Sequence, residues 1–169
     1  MALSVPLSRF TSRVGGGSAF FVRPLTHAMP ESKDIQMSEK FADLVFLALD
    51  HGVDSVRSSG GPLTPFIAYE QDGKRELHRF AAERLEDGQQ RAREAIAALP
   101  PSVTAYALAY DGFITVQGTK FDAILVEASE RGRPAGVRMA QRYTPKKFLR
   151  SFQTVGNPAL LGECETLIR

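Results

Sequence analysis

Residues 103–143 constrain this chain more than any other stretch. They read Val-Thr-Ala-Tyr-Ala-Leu-Ala-Tyr, then Phe-Asp-Ala-Ile-Leu-Val-Glu-Ala, then Gly-Val-Arg-Met-Ala-Gln-Arg-Tyr, with Gly, Asp, Lys and Pro between the segments. Three strand-length runs separated by turn-forming residues predict an antiparallel meander. A hairpin is signalled upstream, where residues 65–70 and 75–80 flank Gln71-Asp72-Gly73-Lys74. Asp-Gly between two alternating runs favours a type I′ turn.

Helices are expected on either side of that hairpin. Ser38 is a good N-cap and Glu39 places an acid in the first turn. Phe41, Leu44, Val45, Ala48 and Leu49 follow at helical spacing, with Phe46 and Leu47 widening the stripe and Gly52 as a stop. Ser58 to Pro62 reads as a loop. Residues 82–99 predict a second helix whose apolar face is Leu85, Ala92, Ala95, Ile96 and Leu99, closed by Pro100-Pro101. A short basic helix is expected over 144–152 and a docked loop from Val155.

The predicted order is therefore α-β-β-α-β-β-β, an α+β domain at 37–169 with a five-stranded antiparallel sheet. Residues 1–36 read as a flexible or non-native leader, broken by Gly15-Gly16-Gly17-Ser18 and by Pro6, Pro24 and Pro30. Up to Met29 the stretch carries arginine and serine but no acid, the composition of an organellar transit peptide. Residues 1–30 hold Arg9, Arg13 and Arg23, so the net charge of +2 leaves the rest of the 169-residue chain at −1. A near-neutral body gives no global attraction to nucleic acid or anionic membrane. Cys164 is the one cysteine, which excludes an intramolecular disulfide and a cysteine-based zinc site. No apolar run is long enough to span a bilayer.

That element order resembles profilin-like and roadblock-type domains, in which helices flank a five-stranded sheet. The resemblance is one of order, and a fold of this kind fixes no function. The phrases Ser-Gly-Gly-Pro-Leu, Ala-Tyr-Asp-Gly, Phe-Asp-Ala-Ile-Leu-Val-Glu-Ala and Ala-Gln-Arg-Tyr, between Ser59 and Tyr143, resemble a small bacterial family of unknown function. That similarity implies a cytosolic bacterial protein and supplies no activity.

Candidate chemistry is sparse. Asp122 and Glu127 share a strand but stand five apart, which sends them to opposite faces. A nuclease motif would also need a lysine two residues after the second acid, where this chain has Ser129. With the following hairpin centred near residues 131–133, Leu125 faces Met139 and Asp122 faces Arg142. That register puts Phe121, Ala123, Leu125, Val137, Met139 and Tyr143 in the core. Asp122, Ile124, Val126, Arg138, Ala140 and Arg142 then form a mixed surface with an Asp122–Arg142 ion pair. Arg131, Arg133, Arg138, Arg142, Lys146, Lys147 and Arg150 form an acid-free basic run that could hold an anion. Its aromatics, Tyr143, Phe148 and Phe152, are too few for a stacking platform, so nucleic acid is not expected. His27, His51 and His78 lack metal-ligand spacing.

No catalytic residue, metal or cofactor is read from this pattern, and it leans away from an enzyme. The reading is a non-catalytic interaction or regulatory module that pairs with itself as a homodimer. The alternative is an enzyme or a small-ligand or anion-binding protein with a polar cleft beside the 103–143 sheet. Tyr106, Tyr110, Asp122, Arg138 and Arg142 would be the polar residues of that cleft. The expected location is the cytoplasm, or an organelle if residues 1–36 act as a transit peptide.

Overall fold

The computed structural model describes residues 37–146 and 151–168. They form an α+β arrangement of one antiparallel sheet and two helices, in the order α-β-β-α-β-β-β-β. The sheet has six strands where five were expected, in the spatial order β2-β1-β3-β4-β5-β6. The chain elements are α1 (Glu39–Ser59), β1 (Phe66–Gln71), β2 (Lys74–Arg79), α2 (Leu85–Ala97), β3 (Val103–Val116), β4 (Thr119–Glu130), β5 (Gly136–Thr144) and β6 (Gln153–Cys164).

Helix α1 starts as its sequence dictates, with the Ser38 hydroxyl accepting from the Phe41 N–H. It does not stop at Gly52 but runs to Ser59 and is capped by Gly60. Gly52 has a packing role instead, because a Cβ there would sit 2.8 Å from Ile124 Cγ2. The missing side chain lets the helix lie close on β4. Phe41, Leu44, Val45, Ala48, Leu49, Val53 and Val56 are all buried in this contact. Each such side chain contributes about 1.5–3 kcal/mol on full burial.

The β1–β2 turn carries positive φ at both Asp72 and Gly73, the type I′ geometry their sequence signals. Strands β3 and β4 are longer than the sequence suggests and turn at Gln117-Gly118, also both at positive φ. Helix α2 lies on the opposite side of the sheet from α1 and packs on β1 and β3. Its Ala92 and Ile96 meet Ile67, Tyr69, Tyr106, Leu108 and Tyr110, so the sheet separates two apolar layers.

The register of β4 on β5 differs by one residue from expectation. Val126 pairs with Met139, Leu125 with Ala140 and Asp122 with Tyr143. Eight residues, 129–136, separate the paired Ala128 and Val137, and this even number reverses the assumed parity. A slip of one residue exchanges the faces of a strand. Ile124, Val126 and Ala128 therefore join Val137, Met139 and Tyr143 under α1, while Leu125 turns to the α2 side and is half-buried. The Asp122–Arg142 ion pair does not form, since the two side chains leave opposite faces.

The C-terminal stretch read as a docked loop is the sixth strand. Gly156-Asn157-Pro158 and Gly162 interrupt pairing without ending it, and the β5–β6 register shifts twice. The buried Gln141 amide donates to the carbonyls of Arg142 and Gly156, supplying partners where the ladder is irregular. Beyond β6 the chain is held by Leu167, whose N–H donates to the Tyr106 hydroxyl, and by the buried Ile168. The helix expected over 144–152 falls partly on residues 147–150, outside the described residues. Thr144 belongs to β5, and Phe152 stacks on Tyr143 at 5.3 Å.

Candidate functional site

Two carboxylates are drawn into the sheet, one on each face. Strand alternation sends Glu127 to the α2 face, where it is 3% exposed. It accepts from Tyr110 Oη at 2.8 Å, from Arg93 of α2 at 2.6 Å, and from Arg138 Nε and a terminal nitrogen at 2.9 and 2.6 Å. Burial alone would raise its pKa, but the hydrogen bonds from Tyr110, Arg93 and Arg138 outweigh that and hold it below the usual carboxylate value. Burial and the carboxylate together push the Tyr110 phenol well up. The result is a latch between α2, β3, β4 and β5 in which the anion is fully engaged. A group so committed is a poor general base, because its proton affinity is depressed and both oxygens are engaged.

Asp111 lies on the α1 face without a basic partner among the described residues. It accepts from the Leu63 N–H at 2.8 Å and from Tyr143 Oη at 2.9 and 3.0 Å. Burial raises its pKa, against the effect of those hydrogen bonds, and Asp122 adds to the rise. Asp111, Asp122 and Tyr143 border a cleft of about 320 Å³ between the 60–62 loop, the first turn of α2 and the sheet. Phe113 forms an exposed wall, with Lys120 Nζ over its ring at 3.7 Å.

The five sequence candidates thus fall in four places. Tyr110 and Arg138 meet at Glu127. Tyr106 is covered, its pKa pushed up to about 12 chiefly by burial, and its hydroxyl is taken by Leu167. Asp122 borders the Asp111 cleft on the other face. Arg142 lies with its guanidinium 5.1 Å from the Phe121 ring centre, beside Gly156 of β6. The basic run is likewise dispersed, with Arg131 donating to the Val103 and Pro100 carbonyls and Arg133 near Glu130. Lys147 and Arg150 lie outside the described residues.

Arg93, Asp111 and the latch role of Glu127 were missed by sequence reasoning. The latch was detectable in part: Glu127 sits in an otherwise apolar strand, and a buried acid requires a cation. No described cluster of three His, Cys, Asp or Glu residues could hold a metal. Among the described residues no helix is long and apolar enough to cross a membrane. Burial, then Glu127, raises the Cys164 thiol, so it is a weak nucleophile at neutral pH.

No match to this chain is found among protein-family models, curated proteins or solved structures.

Proposed function

We propose that this chain is a non-catalytic interaction module that pairs with a second copy of itself along the β6 side of the sheet. The observation that carries this reading is β6 itself. None of its twelve residues is buried, and Leu160 and Leu161 are 47% and 45% exposed. Helix α1 packs on β1, β3, β4 and β5, and α2 on β1 and β3, which leaves β6 outside both layers. Two neighbouring exposed leucines on an uncovered strand form apolar surface suited to a partner.

Electrostatics favours a second copy as that partner. A two-fold interface brings the same surface against itself, so like charges meet unless the patch carries few. Strand β6 has one charged residue, Glu163, in twelve. Strand β2, the other edge, carries Lys74, Arg75, Glu76, His78 and Arg79 in six. Only β6 can face its own copy at little electrostatic cost. Pro158 lacks an N–H and the β6 backbone is irregular, features that block edge-to-edge ladders. Association is therefore through side chains rather than through a continuous sheet.

Light scattering after size exclusion, over a range of protein concentrations, tests the reading. The wild type is expected as a dimer that dissociates on dilution, and L160E with L161E as a monomer with unchanged circular dichroism. A wild type that stays monomeric at the highest concentration would sink it.

A further inference from the structure

We infer that the cleft between the C-terminal half of α1 and β2 binds a small molecule bearing a phosphate or sulfate group. This site is separate from the proposed self-pairing surface and rests on different residues. The cleft has a volume of about 580 Å³, large enough for an organic phosphate. Helical spacing puts His51, Ser55, Ser58 and Ser59 along one flank of α1. Arg79 at the end of β2 and Thr64 in the loop between α1 and β1 face them.

The chemistry of the lining selects for an anion. Arg79 and four hydroxyls all donate, and an arginine fork matches the oxygens of phosphate or sulfate. Asp54 is the one carboxylate in the lining, and it is paired with Arg57. The carbonyl end of α1 lies nearby and opposes an anion. That end is capped by the Gly60 N–H on the Val56 carbonyl, and a residual helix dipole is weaker than a charge-assisted hydrogen bond from arginine.

His51 makes the site responsive to pH. Its Nε2 lies 2.7 Å from an Arg79 terminal nitrogen, which must donate, so the imidazole accepts and is neutral. Arg79 also reaches Ser55 Oγ at 3.4 Å and stands over the Phe66 ring. Burial first, then the Arg79 charge, lowers the His51 pKa, with Asp54 acting against them. The other group packed on the ring is Phe66, edge-on at 5.1 Å, which carries no charge. An anion between Arg79 and His51 relieves the repulsion that protonation creates. Binding then tightens as pH falls through the histidine range.

Amide-resolved NMR titration of the full chain with sodium sulfate at constant ionic strength tests this, at pH about 5.5 and about 8 on either side of the histidine range. Sulfate keeps its charge over that interval, so any pH dependence belongs to the protein. Saturable shifts are expected at residues 51–64 and 79, several-fold tighter at the lower pH. R79Q should weaken binding about tenfold or more, the loss of one charged partner, and R79K less. H51Q should bind with no pH dependence. Phenyl phosphate binding more tightly than inorganic phosphate would assign the site to an organic ligand, whereas equal affinity would assign it to the free ion and overturn the organic class. Unsaturable shifts, shifts centred elsewhere, or R79Q binding like wild type would overturn the site itself.

Discussion

The two faces of this sheet are built on opposite principles. The α1 face is closed by a 21-residue helix, and its interior is almost wholly apolar. Its single deep acid, Asp111, is held by one amide and one phenol. The α2 face is covered by a 13-residue helix, about 20 Å long, which lies on β1 and β3. Where that helix ends its reach, Glu127 and its two arginines take over, and β6 is left uncovered. One face spends its surface on stability. The other fixes a helix with a charge latch.

The largest expected contrast lies between neighbours on β4. Ile124→Ala removes a fully buried side chain from beneath α1 and should cost about 2–5 kcal/mol in urea denaturation. Leu125→Ala, on the half-buried α2 side, should cost less than half as much. Equal losses would mean that both faces are closed alike.

A smaller effect is expected at the latch. Glu127→Gln should cost about 1–3 kcal/mol, below the figure for a fully buried pair because the Arg93 and Arg138 side chains are 33% and 44% exposed. Because the folded pKa of Glu127 lies below its ordinary value of 4.5, its contribution is complete above that value and is lost as pH falls through the folded pKa. The stability gap between wild type and the variant should therefore close on acidification.

Asp111 should show the opposite sign and the least effect. Its folded pKa is raised above 3.8, so the native state holds the proton more tightly, and stability from this residue falls as pH rises through the interval between the two values. Asp111→Asn keeps an acceptor for Leu63 and Tyr143, and should change stability at neutral pH by no more than about 1 kcal/mol. Its pH profile should lack the loss that accompanies rising pH through that interval. A steeper loss in the variant would show that Asp111 is stabilised in its charged form.

Much of the α1 side was legible in the sequence, because periodicity and caps are local signals. The N-cap at Ser38, the stripe from Phe41 to Leu49 and the Asp72-Gly73 turn all act within a few residues. What was not legible depends on contacts distant in sequence. Gly52 reads as a helix stop until Ile124 is seen beneath it. The β4–β5 parity turned on one residue of loop length, and with it went the faces of Leu125 and Val126 and the supposed partner of Asp122. Strand β6 was hidden by Gly156-Asn157-Pro158, which reads as a loop but serves as an irregularity on an edge. Of the candidate residues, Tyr110 and Arg138 lead to Glu127, yet Arg93 could be found only once α2 was placed over β3.

The central claim is that β6, and not β2, meets a second copy of the chain. Replacing Cys164 with Ser and adding one cysteine, at Ala159 in β6 or at Glu76 in β2, allows a spin label to be attached to either edge. Pulsed dipolar measurement on each singly labelled sample then reports the distance between copies. The account predicts a short, narrow intermolecular distance for the β6 label and a longer one for the β2 label. A shorter distance from β2, or no intermolecular coupling from β6 at high protein concentration, would contradict it.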